Sequence, residues 1–534
     1  MTEVNAARPT TSSGLGWWNL YFIVKIILFV RGVIEFHPLE NLSLLALLLL
    51  PIGNKIINVA RHLIALPFAL WLFHYDSFLP PLERLVAQMD QLMAFEWSYL
   101  LELGMRFVPP SALLGVFLLV AGYYYLAKFF RVSVMVVLAC FAVIIPMGSD
   151  SDNSSSDSPA VVEAKSNNSA PATRDDDSLN QYLNQFFSTE RQRVVDFPDT
   201  TGEAAPFDIL MISICSLAWD DMNIAGVSNH PFMSQFDIIF DQFNSATSYS
   251  GPALLRLTRA SCGQPSHDAL YQPADSQCKL FENLKALGYD EALMMNHDGV
   301  FNSLLQRTRI YGGIDAPLVS QEGLTVSQKA FAGSPVTRDL ELLQRWWAGR
   351  QDSTQPVFAL YNSASLHDGN RIMNSERVFG TESYVLRIRR LFDDLNQFME
   401  QLKSSGRNVM VILIPEHGGG LRGDKMQISG MREIASPSIT HVPVAVKLLG
   451  KNIERSDGIA HVDKPSGHMA LSQIIANVIN TEVYNGGSYS AANLSSNLPE
   501  TAAVSQNEGS TVIKVGNEHY ISLDGQHWSI YPSN

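Results

Sequence analysis

Long apolar runs dominate the first 148 residues, each interrupted by only a few polar positions. Trp17 to Phe36 is the first run. Leu42 to Val59 is a second, broken by Pro51, Gly53 and Lys55, and His62 to Tyr75 a shorter third. Val108 to Leu126 and Val132 to Met147 complete the set. A helix needs roughly 20 apolar residues to cross ~30 Å of hydrocarbon, so the pattern predicts five membrane spans. The second and third lie close enough together to read as a re-entrant pair. Lys55, Arg61 and His62 separate spans two and three, and Lys128 and Arg131 separate four and five. The other connections carry Glu40, then Asp76, Glu83, Asp90, Glu96 and Glu102, then Asp150 and Asp152. Basic loops stay cytoplasmic, which places the N-terminus inside and everything after the fifth span outside. Trp17 and Trp18 suit an interfacial anchor.

Residues 149–184 are rich in Ser, Asp, Asn and Ala. Such a stretch buries too little apolar surface to fold alone and reads as a flexible linker. From Phe207 the pattern changes again, to short apolar runs alternating with amphipathic stretches. Runs at 208–214, 291–295, 357–361, 409–414 and 441–449 read as strands, and 252–260, 381–405 and 468–479 as helices. Continuously apolar strands between helices predict a mostly parallel sheet covered on both faces. The end of the chain reads as a small β-meander over 510–534, with turn signals at Gly516-Asn517 and Asp524-Gly525. The expected organisation is a transmembrane domain over 1–148, a linker over 149–184 and an α/β domain over 185–534.

Composition sharpens this picture. The chain has 534 residues, 46% apolar and 17% charged, with a net charge of −14. The first 148 residues carry a net +1 and the remainder −15. An acidic main body excludes nucleic acid as a primary partner, because a phosphate backbone needs a cationic surface. Cys262 and Cys278 flank a loop rich in Gly, Pro, Ser and Asp. Outside the cytoplasm they form a disulfide, worth ~3 kcal/mol for a loop of about 15 residues. Cys140 reads as an apolar filler of span five, and Cys215 is left without a partner thiol.

Ligands of parallel sheets gather beyond the carboxyl ends of the strands. There the chain places Cys215 after one strand, Glu416-His417 followed by three glycines after another, and His367-Asp368-Gly369 after a third. Thiolate, carboxylate and imidazole are the ligand set of zinc, which in catalytic sites keeps a fourth position open. Glu416 directly follows an apolar strand and Pro415, so its charge needs a strong partner. Ser250, in Tyr249-Ser250-Gly251-Pro252, stands at a helix start. One reading is a capping serine. The other is a nucleophile, placed where anions are favoured and activated by a metal. His441 reads equally as a core or a supporting residue, Asn296-His297-Asp298 as a turn, and Asp220-Asp221 as a solvated loop.

The segments DILMISICSLAWDDM, FNSATSYSGPALLRLTRASCGQ, SASLHDG, IPEHGGGLRGDK and REIASPSITHVPV resemble the bacterial cellulose phosphoethanolamine transferases. These are the G subunits of cellulose-synthase systems, distant members of the alkaline-phosphatase and sulfatase superfamily. The resemblance implies an alkaline-phosphatase-like fold and an inner-membrane protein with a periplasmic C-terminal domain. It implies phosphatidylethanolamine as donor, cellulose as acceptor, and the membrane subunits of the synthase as partners. Carried over by residue, it implies Ser250 as nucleophile and Cys215, Glu416, His417 and Ser250 as ligands of one Zn2+. His367 and Arg432 would face the phosphate, and Tyr249 would help place substrate. Lipid A phosphoethanolamine transferases use Glu, Thr, Asp and His at the positions of Cys215, Ser250, Glu416 and His417. The residues after Ser250 also lack the sulfatase maturation pattern. Two alternatives stand beside this expectation: a periplasmic phosphodiesterase or phosphatase of the same superfamily, and a non-catalytic scaffold subunit of the synthase.

Overall fold

In the computed structural model, the apolar runs of the C-terminal half become strands of one seven-stranded sheet. The structure describes residues 14–31, 34–77, 93, 95–107, 110–144, 174–199, 205–351, 353–373 and 378–532. In chain order the strands are β1 (Asp208–Ile214), β2 (Ile238–Phe240), β3 (Asp290–Met295), β4 (Val357–Ser363), β5 (Val409–Leu413), β6 (Val444–Leu449) and β7 (Ala460–Val462). Their spatial order is β7-β2-β6-β5-β1-β4-β3. β1 pairs in parallel with β4 and β5, β3 with β4, and β7 with β2. β6 is antiparallel to both β5 and β2. The mostly parallel sheet expected from the sequence is therefore mixed, with β6 running against the rest. This reversal has a consequence for the site. The long connection from β5 to β6 begins and ends at the same sheet edge, so residues 414–443 stay there.

β1 has an unbroken apolar run, Ile209 to Ile212, because both its faces are covered. Ile209 and Met211 join a core shared with helices Ser250–Thr258 and His468–Asn480. Leu210, Ile212 and Ile214 join a core on the other face, with helices Asp339–Ala348 and Gly380–Ser405. Each buried Leu or Ile side chain contributes roughly 1.5–3 kcal/mol, so register is strongly specified here.

Two boundaries differ from expectation. Helix Asp176–Glu190 lies partly inside the stretch 149–184 expected to be a linker. Asp175 caps it, accepting from Ser178 N (2.9 Å). Leu179, Phe186 and Phe187 then pack on Val504, Ile513, Val515 and Tyr520. The polar composition conceals this helical apolar spacing; residues 149–173 lie outside the described residues. The C-terminal meander is antiparallel and four-stranded as Val504–Asn507, Ser510–Val515, Glu518–Ser522 and Ser529–Ile530. It starts earlier than the expected residue 510.

The chain divides into two compact units, Met1–Gln88 with Leu101–Lys165, and Met89–Leu100 with Ser166–Asn534. The smaller unit contains helices Trp18–Val30, Pro38–Leu49, Lys55–Tyr75, Pro110–Leu126 and Val132–Ile144. Five spans are expected; among the described residues one helix, Lys55–Tyr75, is long and apolar enough to cross a membrane by itself. A second counts if the bent pair Trp97–Arg106 and Ser111–Leu126 is taken together. The break expected between Val59 and His62 instead falls before Lys55, where Asn54 accepts from Ile56 N (2.8 Å) and caps the long helix. Large apolar side chains such as Ile56, Leu63, Phe117 and Leu138 are exposed on these helices.

Candidate active site

Three strands carry the candidate residues to one edge. Cys215 follows β1, and its amide donates to Ser363 O on β4 (2.9 Å). Glu416 follows β5, and its amide donates to Ile214 O on β1 (2.9 Å). The ladders that fix β1 between β4 and β5 thus also fix the heights of thiol and carboxyl. Ser216, the residue after Cys215, has a left-handed backbone (φ 66°). Such strain in a residue other than glycine is held by its surroundings. Ser216 Oγ accepts from Arg432 Nη1 (3.0 Å), and Ser216 O accepts from Tyr384 Oη (2.6 Å).

The side-chain ligand atoms of Cys215, Glu416 and His417 lie within 4.8 Å of one another, and all three residues are buried. Cys215 Sγ is 3.8 Å from His417 Nε2, and Glu416 Oε2 is 3.7 Å from the same nitrogen. Ser250, the first residue of its helix, places Oγ 3.5 Å from Cys215 Sγ. His417 Nδ1 donates to Gly418 O (2.9 Å), which leaves the Nε2 lone pair directed at the cluster. Burial and then Arg432 hold this imidazole well below its ordinary range, so it is neutral. Burial, then Glu416, pushes the Cys215 thiol up to about 11. Burial likewise raises the Glu416 carboxyl.

The donor set fits a divalent cation, and zinc in particular. Glu416 Oε1 accepts from Asn362 Nδ2, whereas Oε2 is buried with no hydrogen-bond partner among the described residues. A buried carboxylate oxygen without a partner is costly, and a bound cation would satisfy it. Cys215 would give up its proton on binding.

His367 and Arg432 also come to this edge. Burial, then Arg432, pushes the His367 imidazole down to about 3. Its Nδ1 donates to Asp368 O (2.8 Å), and its ring stacks on Phe331 at 4.6 Å. Arg432 Nη1 is 3.3 Å from His417 Nδ1. Tyr249 Oη donates to Glu433 Oε1 (2.6 Å), which turns this hydroxyl toward the 415–443 connection. Cys262 and Cys278 form the expected disulfide, with Cα atoms 4.8 Å apart.

Several supporting residues escape sequence reasoning. Asn362 links Glu416 to His297, whose Nε2 donates to Asn362 Oδ1 (2.9 Å). Gly299 N donates to His297 Nδ1 (3.1 Å), which fixes that tautomer. The expected turn is present, yet its histidine also orients a candidate ligand. Asp221 is buried rather than solvated, a correction to the loop expected at Asp220-Asp221. It accepts from Ala218 N (2.9 Å) and Gly419 N (2.7 Å), and so clamps the glycine loop after His417. A Cβ at Gly418 would come within 2.6 Å of Ala218 Cβ, so this close approach requires glycine. His441 is exposed and bonds Asp241 O (2.6 Å), a structural contact away from the buried cluster. Asn507, on the meander, donates to Ser248 Oγ (2.6 Å) and accepts from Ser248 N (3.2 Å). Tyr99 Oη donates to Asp368 Oδ2 (2.9 Å), beside His367. Neither Asn507 nor Tyr99 carries a sequence signal, because its partner lies more than a hundred residues away.

Comparison with known proteins gives a consistent family match. The family model "Cellulose biosynthesis protein BcsG C-terminal domain" matches residues 162–528, and "Cellulose biosynthesis protein BcsG N-terminal domain" matches 18–145. The chain is 39% identical to the cellulose biosynthesis protein BcsG of Salmonella typhimurium, over 97% of this chain and 96% of that protein. It is 38% identical to the Escherichia coli protein of the same name, over 99% of each. Among solved structures, it is similar to a protein in the alkaline phosphatase superfamily from Vibrio parahaemolyticus. That match has a TM-score of 0.48 and 15% identity, and it covers 66% of this chain and 88% of the other.

Proposed function

Since the chain belongs to the cellulose biosynthesis protein BcsG family, we propose that it is a phosphoethanolamine transferase of the alkaline-phosphatase superfamily. It moves phosphoethanolamine from phosphatidylethanolamine to the 6-hydroxyl of glucose residues in nascent cellulose. Its N-terminal helices cross the inner membrane in five spans, with the N-terminus cytoplasmic. The larger unit works in the periplasm, beside the membrane subunits of the synthase.

The observation that carries this reading is the convergence of Cys215, Glu416 and His417 within 4.8 Å, with Ser250 Oγ 3.5 Å from the sulfur. Cys215, Glu416, His417 and Ser250 would hold one Zn2+. When bound, the ion supplies a Lewis acid that lowers the pKa of a coordinated hydroxyl and offsets charge on a phosphoryl group.

In the first half-reaction, Ser250 Oγ attacks the phosphorus of the lipid head group. A P–O bond forms to serine as Ser250 gives up its hydroxyl proton, the P–O bond to diacylglycerol breaks, and the leaving oxygen takes up that proton. In the second, a sugar hydroxyl attacks the same phosphorus, the P–Oγ bond breaks, and Ser250 regains its proton. His367 is neutral and keeps its Nε2 lone pair, so it accepts a hydrogen bond from the attacking sugar hydroxyl and orients it; pushed down to about 3, it is too weak a base to hold the proton, which passes to Ser250 Oγ as the P–Oγ bond breaks. Arg432, anchored on Ser216, offsets negative charge on the phosphate oxygens. The amides at the start of helix Ser250–Thr258 favour the same anion.

The test is intact-mass analysis of the full-length protein incubated with phosphatidylethanolamine in mixed micelles. The native chain gains one phosphoethanolamine, Ser250→Ala gains none, and cellulose oligomers discharge the adduct. An adduct that persists in Ser250→Ala ends the assignment. Discharge by water alone, with no modified glycan, favours a phosphodiesterase.

A further inference from the structure

A cavity of about 500 Å³, within the usual range for small-molecule sites, has Glu508 in its wall, next in the chain to the Asn507 that bonds the nucleophile loop. It lies among three segments: the disulfide loop, helix Leu304–Gly312, and the first hairpin of the meander. Its lining includes Tyr271, Tyr311, Asp268, Gln306, Arg307 and Glu508. We infer that this cavity binds the acceptor, as a subsite for a neutral polyhydroxylated glycan chain. The inference rests on the transferase reading above and assigns the acceptor a place.

The cavity's position supports this inference. Glu508 directly follows Asn507, whose side chain bonds Thr247 Oγ1 (3.0 Å) and both the amide and the hydroxyl of Ser248. One wall of the cavity is therefore joined by hydrogen bonds to the loop that ends in Ser250. At the other end, Tyr311 O accepts from Arg259 Nε (2.9 Å), and Arg259 is the C-cap of the Ser250 helix. Helix Leu304–Gly312, which supplies much of the cavity wall, packs on the Ser250 helix through Gly312, whose nearest neighbour there is Thr258.

The lining chemistry selects the ligand class. Tyr271 and Tyr311 lie edge to face, with centroids 5.9 Å apart, and the Arg307 guanidinium sits over the Tyr271 ring at 5.7 Å, so a sugar would meet aromatic surface with a donor beside it. Asp268, Glu508, Gln306 and Arg307 provide acceptors and donors for hydroxyls. Two carboxylates against one guanidinium disfavour an anionic ligand. Ile310 is the large aliphatic side chain of the lining, too little for an acyl chain. The site is preformed: Arg259 donates to Ala269 O (3.2 Å) and Gln272 O (2.9 Å), and His267 N donates to Gln506 Oε1 (3.0 Å). The Cys262–Cys278 bridge closes the same loop.

The experiment uses full-length protein in detergent and has two arms. In the first, cellopentaose binding is titrated calorimetrically without donor. Tyr271→Ala and the exposed variants Gln306→Ala and Glu508→Gln each weaken it about tenfold or more. In the second, the Ser250 adduct forms at native rate in all three variants, but half-saturation of its discharge by cellopentaose rises by the same factor. Native binding in all three variants overturns the inference and leaves the transferase reading intact. So does a raised half-saturation for phosphatidylethanolamine with the acceptor unaffected, which would make the cavity a donor site. Failure of the native protein to form an adduct overturns the transferase reading, and the acceptor assignment falls with it.

Discussion

At the scale of single residues, Glu416 divides its carboxylate between two tasks. Oε1 is held by Asn362, itself held by His297, while Oε2 has no hydrogen-bond partner among the described residues. Glu416→Gln keeps an oxygen for Asn362 and removes the negative charge, so the fold survives and the metal site does not. Native protein is expected to carry one zinc per chain by elemental analysis, and the variant close to none. Zinc at 100 times its Kd stabilises the native chain by ~2.7 kcal/mol, and this thermal shift disappears in Glu416→Gln. His297→Ala should weaken zinc about 10–100-fold by releasing Asn362. Cys215, Glu416 and His417 are legible in sequence because each stands close behind an apolar strand, where a charge or thiol needs explaining. Asn362, Asp221 and Asn507 are not, because a neutral amide or a loop aspartate gains its meaning only from distant partners.

At the scale of elements, long strands buried on both faces announce themselves, and β1, β4 and β5 match their expected positions within two residues. The three-residue strands β2 and β7 do not, because so short a run is indistinguishable from a loop. Helix Asp176–Glu190 is the instructive miss. Its apolar residues at 179, 186 and 187 follow a helical period but sit in a polar composition, and their partners lie at the other end of the chain. This packing holds the meander whose Asn507 reaches the nucleophile loop. Phe186→Ala should therefore cost about 3–5 kcal/mol in the larger unit, measured by chemical denaturation. It should also slow discharge of the Ser250 adduct more than it weakens zinc binding, since three of the four candidate ligands, Cys215, Glu416 and His417, closely follow β1 and β5 and only Ser250 stands by the loop that the meander holds. Equal losses of zinc and activity would show that the meander acts only through global stability.

At the scale of the whole molecule, charge and redox chemistry make one joint prediction. Four of the nine basic residues among the first 148 fall in two places, Lys55 and Arg61 at the start of helix Lys55–Tyr75 and Lys128 and Arg131 between helices Pro110–Leu126 and Val132–Ile144, while the remainder of the chain carries −15. Basic loops are retained in the cytoplasm, so the proposed orientation puts the larger unit in the periplasm, which requires an odd number of crossings before residue 174. The Cys262–Cys278 disulfide points the same way, because such a bond persists in an oxidising compartment. A reporter active only in the periplasm should therefore report activity when fused after the meander and none at the N-terminus. Alkylation without reduction should leave both Cys262 and Cys278 unmodified in protein taken from cells. Replacing Lys128 and Arg131 by glutamate weakens the retention signal, and the fraction of chains with both thiols alkylated should rise together with loss of the C-terminal reporter signal. A C-terminal reporter active only in the cytoplasm, with both thiols free in the native chain, would reverse the orientation and remove the larger unit from any periplasmic substrate.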